Sequence, residues 1–265
     1  MKLSRHGGIV ALALVAFALQ TQAWTEPVER AEQETLTQDA EQLLALANQA
    51  RASQGAAPLK WDAGLTEAAR QHCLRMAKEG PIAHRYGGEM ALTERAELAG
   101  AHFSLIEENV AVGPDAATIH NSWMHSPSHR TNLLNPSVDR IGVTTVTSHG
   151  IVYAVADYAQ AVPVLTPAQV EAAIGSLIRA HGVSLLTDVA TARAACATEH
   201  GAPTGQLGAL PQFVMRWQNA DLTRLPPALL ERLKRQQYHQ AAVGSCPAQD
   251  MEGSFTTYRV AVLLY

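Results

Sequence analysis

Cysteine is scarce in this chain, with three among 265 residues: Cys73, Cys196 and Cys246. No C-x-x-C pair and no Cys/His ribbon spacing occurs, which excludes a structural zinc site of the finger type. Charge is also thin. Acidic and basic side chains make up 17% of the residues and their formal balance is −4. Basic residues occur only in short pieces such as Arg232–Arg235, which read as a solvated helix face, so nucleic acid is not a partner. Beyond the N-terminus no apolar run is long enough for a transmembrane helix. The G-x-S-x-G elbow and the H-E-x-x-H helix are both absent, which removes the two simplest hydrolase signatures.

What the chain does have begins with a targeting segment. Lys2, Arg5 and His6 form a basic start, Ile9–Leu19 is a short apolar stretch, and Thr21-Gln22-Ala23 offers small residues for cleavage. Residues 1–23 therefore read as a secretory signal peptide, with a retained anchor as the rival reading. No cysteine follows the apolar stretch, so a lipoprotein attachment signal is missing. Cleavage removes Lys2 and Arg5 and no acid, taking the formal charge from −4 to −6. The expected location is secreted or periplasmic, with no membrane span left in the mature chain. Export permits disulfides. A Cys196–Cys246 pair would close a loop in the C-terminal half, worth about 3–4 kcal/mol in the chain-entropy picture. Cys73 lies in an alanine-rich helical pattern and is expected as a buried, inert thiol.

Hydrophobic residues make up 47% of the chain, enough for a sizeable core. Residues 24–36 are a polar, acidic lead-in. Ala40–Ser53 has helical spacing and stops at Gly55. Pro58–Asp62 reads as a loop and Leu65–Lys78 as a second helix, ended by Gly80-Pro81. Residues 85–105 look irregular, with helix around Leu92–Gly100. Ala116–His125 is a third helix. Pro127 forbids its continuation, and Ser126 with Pro127 starts a new turn through Leu134. Ile141–Thr147 and Ile151–Ala159 alternate like strands around a Ser148-His149-Gly150 turn. Helices followed by a strand pair indicate an α+β layer fold over residues 37–162.

Residues 163–265 form a further, smaller α+β unit, opened by Thr166 capping a helix with Pro167 at its first position. A weak internal repeat runs through it. Ala192–Cys196 echoes Ala69–Cys73, and Tyr258–Val262 echoes Tyr153–Asp157. If that echo is a repeat, the second copy is degenerate, because Trp217–Leu233 carries no histidine.

The most informative stretch is Asn121–Leu134, N-S-W-M-H-S-P-S-H-R-T-N-L-L. His125 and His129 have the i, i+4 spacing of a helical metal pair, but Pro127 puts them on different turns. Trp123 reads as core packing. Three further motifs precede this stretch: Asn48…Arg51, Pro58-Leu59-Lys60-Trp61 and Glu108-Asn109-Val110-Ala111. With Ala83-His84 they resemble, in order, the motifs of the CAP superfamily in its bacterial extracellular, SCP-like form. That superfamily unites cysteine-rich secretory, venom-allergen and plant pathogenesis-related proteins. The resemblance implies an α-β-α sandwich with a cleft, and places His84, Glu108 and His129 in it as ligands of a divalent metal, zinc first among them. Asn109 joins them at the cleft, though an asparagine there more often holds loop backbone. Two imidazoles and a carboxylate are a chemically sound set for such a metal, and water would take an open position.

Three positions depart from the family pattern. Glu107 and Ser128 each replace a glycine, and Ser126 stands where eukaryotic members carry a fourth acid. The loss of that acid weakens the metal set. The first expectation is a non-enzymatic CAP-domain protein whose His/Glu cleft binds a divalent metal, a small ligand or an envelope component. A metal-dependent, peptidase-like hydrolase on peptide or envelope material, with Glu108 as base, is the first alternative. An interaction module with a vestigial cleft is the second. Oligomeric state is not readable from the sequence.

Overall fold

The computed structural model describes residues 37–187, 189–198, 210–248 and 256–265. The signal segment and the lead-in expected at 1–23 and 24–36 lie outside them. Helix α1 (Gln38–Ser53) starts at Thr37, whose hydroxyl accepts from the Ala40 amide at 3.2 Å. It gives way to Gly55, whose φ of +71° suits glycine. Strand β1 (Lys60–Trp61) falls inside the stretch expected as a loop. Two residues are too few to show a period, so nothing local marked it. Helix α2 (Ala63–Glu79) is capped by Asp62, which accepts from the Leu65 amide at 2.9 Å.

Helix α3 (Leu92–Leu98) leads to strand β2 (Phe103–Gly113), which the alternation of residues did not reveal. Helix α4 (Ala116–His125) ends where Pro127 requires, and α5 (Pro127–Leu134) begins on that proline. Ser126 occupies the cap position without a capping bond; its Oγ faces Ser128 Oγ at 3.4 Å instead. Strands β3 (Arg140–Ser148) and β4 (Ile151–Ala161) form the expected hairpin. His149 and Gly150 make its turn, with φ of 51° and 76°.

These strands form a sheet of order β1-β3-β4-β2, leaving β2 at an edge. The layers on its two faces follow from alternation along the strands. Ile141, Val143, Ala154, Ala156 and Tyr158 pack against α1, α4 and α5. Val155, Val110, Phe103 and Ala159 pack against α2 and α3. The result is the expected α-β-α sandwich. Arg51 pins its first layer together. It is fully buried on α1 and donates to the carbonyls of Ala57, Leu133, Asn135 and Val138 at 2.7–3.0 Å.

The C-terminal residues build a second α+β layer unit. It contains α6 (Pro167–Arg179), β5 (Ser184–Leu185), α7 (Ala190–Ala197), β6 (Phe213–Asn219), α8 (Pro227–Lys234), β7 (Gln240–Cys246) and β8 (Tyr258–Leu264). Its sheet order, β5-β7-β8-β6, has the same pattern as the first. In both units the first strand pairs in parallel and the others antiparallel. Both also press a helix onto a glycine of the sheet. A Cβ on Gly142 would lie 2.1 Å from the Leu65 backbone of α2, and one on Gly244 would lie 2.1 Å from the Ala192 backbone of α7. This crossing sets Ala192 against Leu65, so the sequence echo that set Cys196 against Cys73 is displaced by one helical turn. An alanine-rich helix keeps its apolar stripe under such a shift, which is why the sequence pattern missed it.

Among the described residues the two sheets belong to one compact body. The Thr256 amide donates to Phe103 O at 2.8 Å, the Val162 amide to His102 O at 2.9 Å, and the Tyr258 hydroxyl to Pro163 O. The Cys196–Cys246 disulfide forms as expected, with Cα atoms 5.8 Å apart. Cys73 is a buried free thiol, its pKa pushed up to about 12 by burial. Among the described residues no helix is long and apolar enough to cross a membrane.

Gly142→Ala should cost at least about 3 kcal/mol, because the clash is with backbone that cannot rotate away. Gly244→Ala should do the same, and urea unfolding midpoints would measure both. Cys246→Ser should lower stability by about 4 kcal/mol for a loop of this length.

Candidate functional site

As in any β-strand, consecutive residues of β2 face opposite layers. Glu108 turns toward α2 and α3, while Asn109 and Glu107 show what the other face does. Asn109 Nδ2 donates to the His129 carbonyl at 2.9 Å, and Glu107 accepts from Asn135 Nδ2 at 3.1 Å. Asn132 donates to Glu108 O and to Asn109 Oδ1, at 3.2 and 3.0 Å. Helix α5 is thereby fastened along β2. Asn109 acts on backbone, so it positions α5. The acid at 107, where the family has glycine, has a local use in holding the α5 end.

On the other face Glu108 is almost wholly buried, its side chain 4% exposed. Its Oε2 accepts from Arg95 of α3 at 2.5 Å, and its Oε1 meets His84 Nδ1 at 2.9 Å. His84 comes from the loop between α2 and α3, with 59% of its side chain exposed. The hydrogen bond from His84 to Glu108 raises the histidine's pKa, against partial burial, which lowers it. His129, on α5, approaches from the opposite layer; its ring centroid is 6.5 Å from that of His84. Burial lowers the His129 pKa, and the neighbouring His84 adds to the effect. The structure thus gathers His84, Glu108 and His129 at one edge of the sheet. It leaves His125 out: that ring faces its own helix, Nδ1 to the Asn121 carbonyl at 2.8 Å. Trp123 is core, 2% exposed, with Nε1 donating to Val110 O.

Several polar residues around this site carried no sequence motif. Asp157 pairs with Glu108 across the β2–β4 ladder and is fully buried. Neither of its oxygens has a hydrogen-bond partner among the described residues. Burial, and then the charge of Glu108, raise its pKa well above the ordinary carboxylate range. Asp157 therefore keeps its proton to higher pH than an ordinary aspartate does. Glu89 lies 3.9 Å from Arg95, and His72 lies 2.7 Å from Glu89. One signal was available: His72 sits inside the apolar stripe Leu65, Ala68, Ala69, Cys73, Met76, where a histidine needs partners. Asp157 gave a similar signal as the lone acid in an apolar strand.

The donor set bears on the metal implied by the resemblance. Among the described residues no three His, Cys, Asp or Glu side chains are arranged to hold a metal ion. Glu108 has one oxygen on Arg95 and the other on His84. That leaves the two facing imidazoles, or two ligands of the four that zinc takes. In the second sheet the equivalent rung carries no such acid. Where Gly142 pairs with Asp157 and Asp157 with Glu108, Gly244 pairs with Ala261 and Ala261 with Arg216. Arg216 donates to the Ala195 carbonyl at 2.5 Å, and Trp217 follows it where Asn109 follows Glu108.

Asp157→Asn should stabilise the protein at neutral pH. A raised folded-state pKa contributes stability below the unfolded carboxylate pKa of about 4 and loses it as pH rises. The advantage of the amide should therefore grow above about pH 4 and vanish below it, in melts run across pH. Arg95→Leu should cost about 3–5 kcal/mol by leaving Glu108 buried and uncompensated.

Residues 44–158 match the family described as the cysteine-rich secretory protein family, CAP. Three curated relatives match part of the chain. A Borreliella burgdorferi protein is 29% identical over 84 residues, covering 32% of this chain and 54% of the relative. Bacillus subtilis YkwD is 31% identical over 107 residues, covering 40% and 42%. The B. subtilis membrane protein YlbC is 32% identical over 111 residues, covering 40% and 31%. The chain thus spans about half or less of each of these relatives. Among solved structures, an outer surface protein from Borrelia burgdorferi aligns at 24% identity and TM-score 0.44, covering 46% of this chain and 92% of that one. A Bacillus anthracis extracellular protein containing an SCP domain aligns at 24% and 0.43, covering 46% and 40%. The sandwich built on residues 44–158 is a CAP domain, matched by the model of that family.

Proposed function

We propose that this chain acts outside the cytoplasm as a non-catalytic binding protein. Its CAP domain takes a small ligand between His84 and His129, and a divalent metal is the simplest ligand of that kind. The observation that carries this reading is the pair of imidazoles from opposite layers, 6.5 Å apart at the sheet edge. Their free ring nitrogens are the donors that a metal or a polar ligand would meet. With two protein ligands, water would complete a zinc shell, which implies modest affinity. Export is supported by the signal-like residues 1–23 and by the Cys196–Cys246 disulfide.

Two features favour binding over hydrolysis. A base on Glu108 would have to break from both Arg95 and His84. The Ser126 and Ser128 hydroxyls pair with each other, and neither is bonded to the His129 ring among the described residues. The second unit fits a degenerate copy of the first: it repeats the sheet order and the glycine crossing and replaces the Glu108–Asp157 rung with Arg216–Ala261. One site per chain follows.

Calorimetric titration of the chelated, disulfide-intact protein with zinc tests the reading. One equivalent should bind in the micromolar range near pH 7.5, and binding should be lost in both His84→Ala and His129→Ala. Affinity should fall at least about tenfold by pH 5.5, because ligating imidazoles must shed their protons and the Glu108 contact makes His84 hold its own more tightly. Binding that survives both substitutions would place the metal elsewhere and defeat the proposal.

A further inference from the structure

We propose that the buried His72–Glu89 pair is the positioning device for His84, a latch that fixes the loop of residues 80–91 so that the His84 ring stays on Glu108. The inference rests on reading that edge as the binding site. His72 is fully buried on α2, and both its ring nitrogens are engaged by this loop. Nε2 meets the carbonyl of Ala83, the residue immediately before His84, at 2.8 Å. Nδ1 meets Glu89 Oε1 at 2.7 Å. One ring therefore grips the loop on both sides of His84.

Glu89 extends the grip. Its Oε2 accepts from the Tyr86 amide at 2.8 Å, and its backbone carbonyl accepts from Arg85 Nε at 2.8 Å. Arg95, which holds Glu108, also lies 3.9 Å from Glu89. The Tyr86 ring stacks at a tilt 5.8 Å from His72, with Arg75 over its face and donating to the Gly87 carbonyl at 2.6 Å. The loop contains no helix or strand, so these side chains and its own turns fix its path. His84 itself is more than half exposed and cannot be held by packing. An exposed ring with a single anchoring bond needs a rigid backbone beneath it if it is to meet a ligand in one orientation. The two anchors are matched: Arg95 fixes Glu108, and His72 fixes the loop that offers His84 to it.

Hydrogen exchange on the intact full chain gives a readout that does not depend on any ligand. In His72→Ala, exchange over residues 80–91 should accelerate at least about tenfold while β3, β4 and the second sheet keep their protection. The His84 ring signal, followed by histidine-selective NMR, should move toward that of a free side chain. His72→Gln, whose amide keeps N–H donors, should recover part of both effects. Glu89→Gln covers the case in which His72→Ala fails to fold, and should loosen the same segment. Unchanged exchange over 80–91 in both variants overturns the latch. Uniform loss of protection across the whole domain in both also overturns it, since His72 would then be core packing alone. Zinc titration of the same variants adds a second arm, with affinity falling at least about tenfold in His72→Ala. Should wild-type protein bind no zinc, the binding reading fails while the exchange result still decides the latch.

Discussion

Glu108 carries its carboxylate into the space between sheet and helix, where an unpaired charge is untenable, and Arg95 of α3 meets it there at 2.5 Å. Both side chains are nearly sealed from water. Taking the two ions out of water is costly, and the pair survives only because each charge is matched in place. The rest of the site depends on that match. Asp157, on the same rung, is fully buried and faces the Glu108 charge, and burial first and that charge second drive its pKa up. Only the remaining Glu108 oxygen is available to orient His84, and this is how a half-exposed ring comes to have a defined direction.

Alternation along one edge strand organises the rest. Glu108 and Asn109 are adjacent in sequence and serve opposite layers, one holding charge under α2 and α3, the other holding the backbone of α5. His84 and His129 therefore meet around the strand's edge although 45 residues separate them. The sheet in turn depends on close approach: α2 rests on Gly142 with no room for a Cβ. The second unit obeys the same layer physics, with Gly244 under α7 and the same strand order. Where the first unit has Glu108 and Asn109, it has Arg216 and Trp217, and the Arg216 guanidinium donates to the Ala195 carbonyl.

Much of this was legible in the residues. The cap at Thr166, the break at Pro127, the β3–β4 hairpin and the Cys196–Cys246 bond all follow from local rules or simple pairing. The motif run Asn48…Arg51 proved structural: Asn48 exchanges hydrogen bonds with Leu59, and Arg51 gathers four carbonyls. What escaped detection has a shared cause. Strand β2 serves charged and polar contacts on both faces, so it lacks the apolar–polar alternation that marks a strand. Strand β1 is too short for any period. His72, Arg95 and Asp157 acquire meaning only from partners far along the chain.

The sequence alone determined the helices, their ends, the hairpin and the order of the motifs, because caps, prolines, glycines and apolar periods act within a few residues. It also named, through an ordered resemblance, the three residues that meet at the sheet edge. The tertiary structure decided which Glu108 oxygen faces which partner, that His125 turns away, that burial raises the Asp157 pKa, and that α7 crosses its sheet one helical turn from where the sequence echo put it. Those outcomes depend on burial and on charges brought together from distant segments, and no local pattern encodes either.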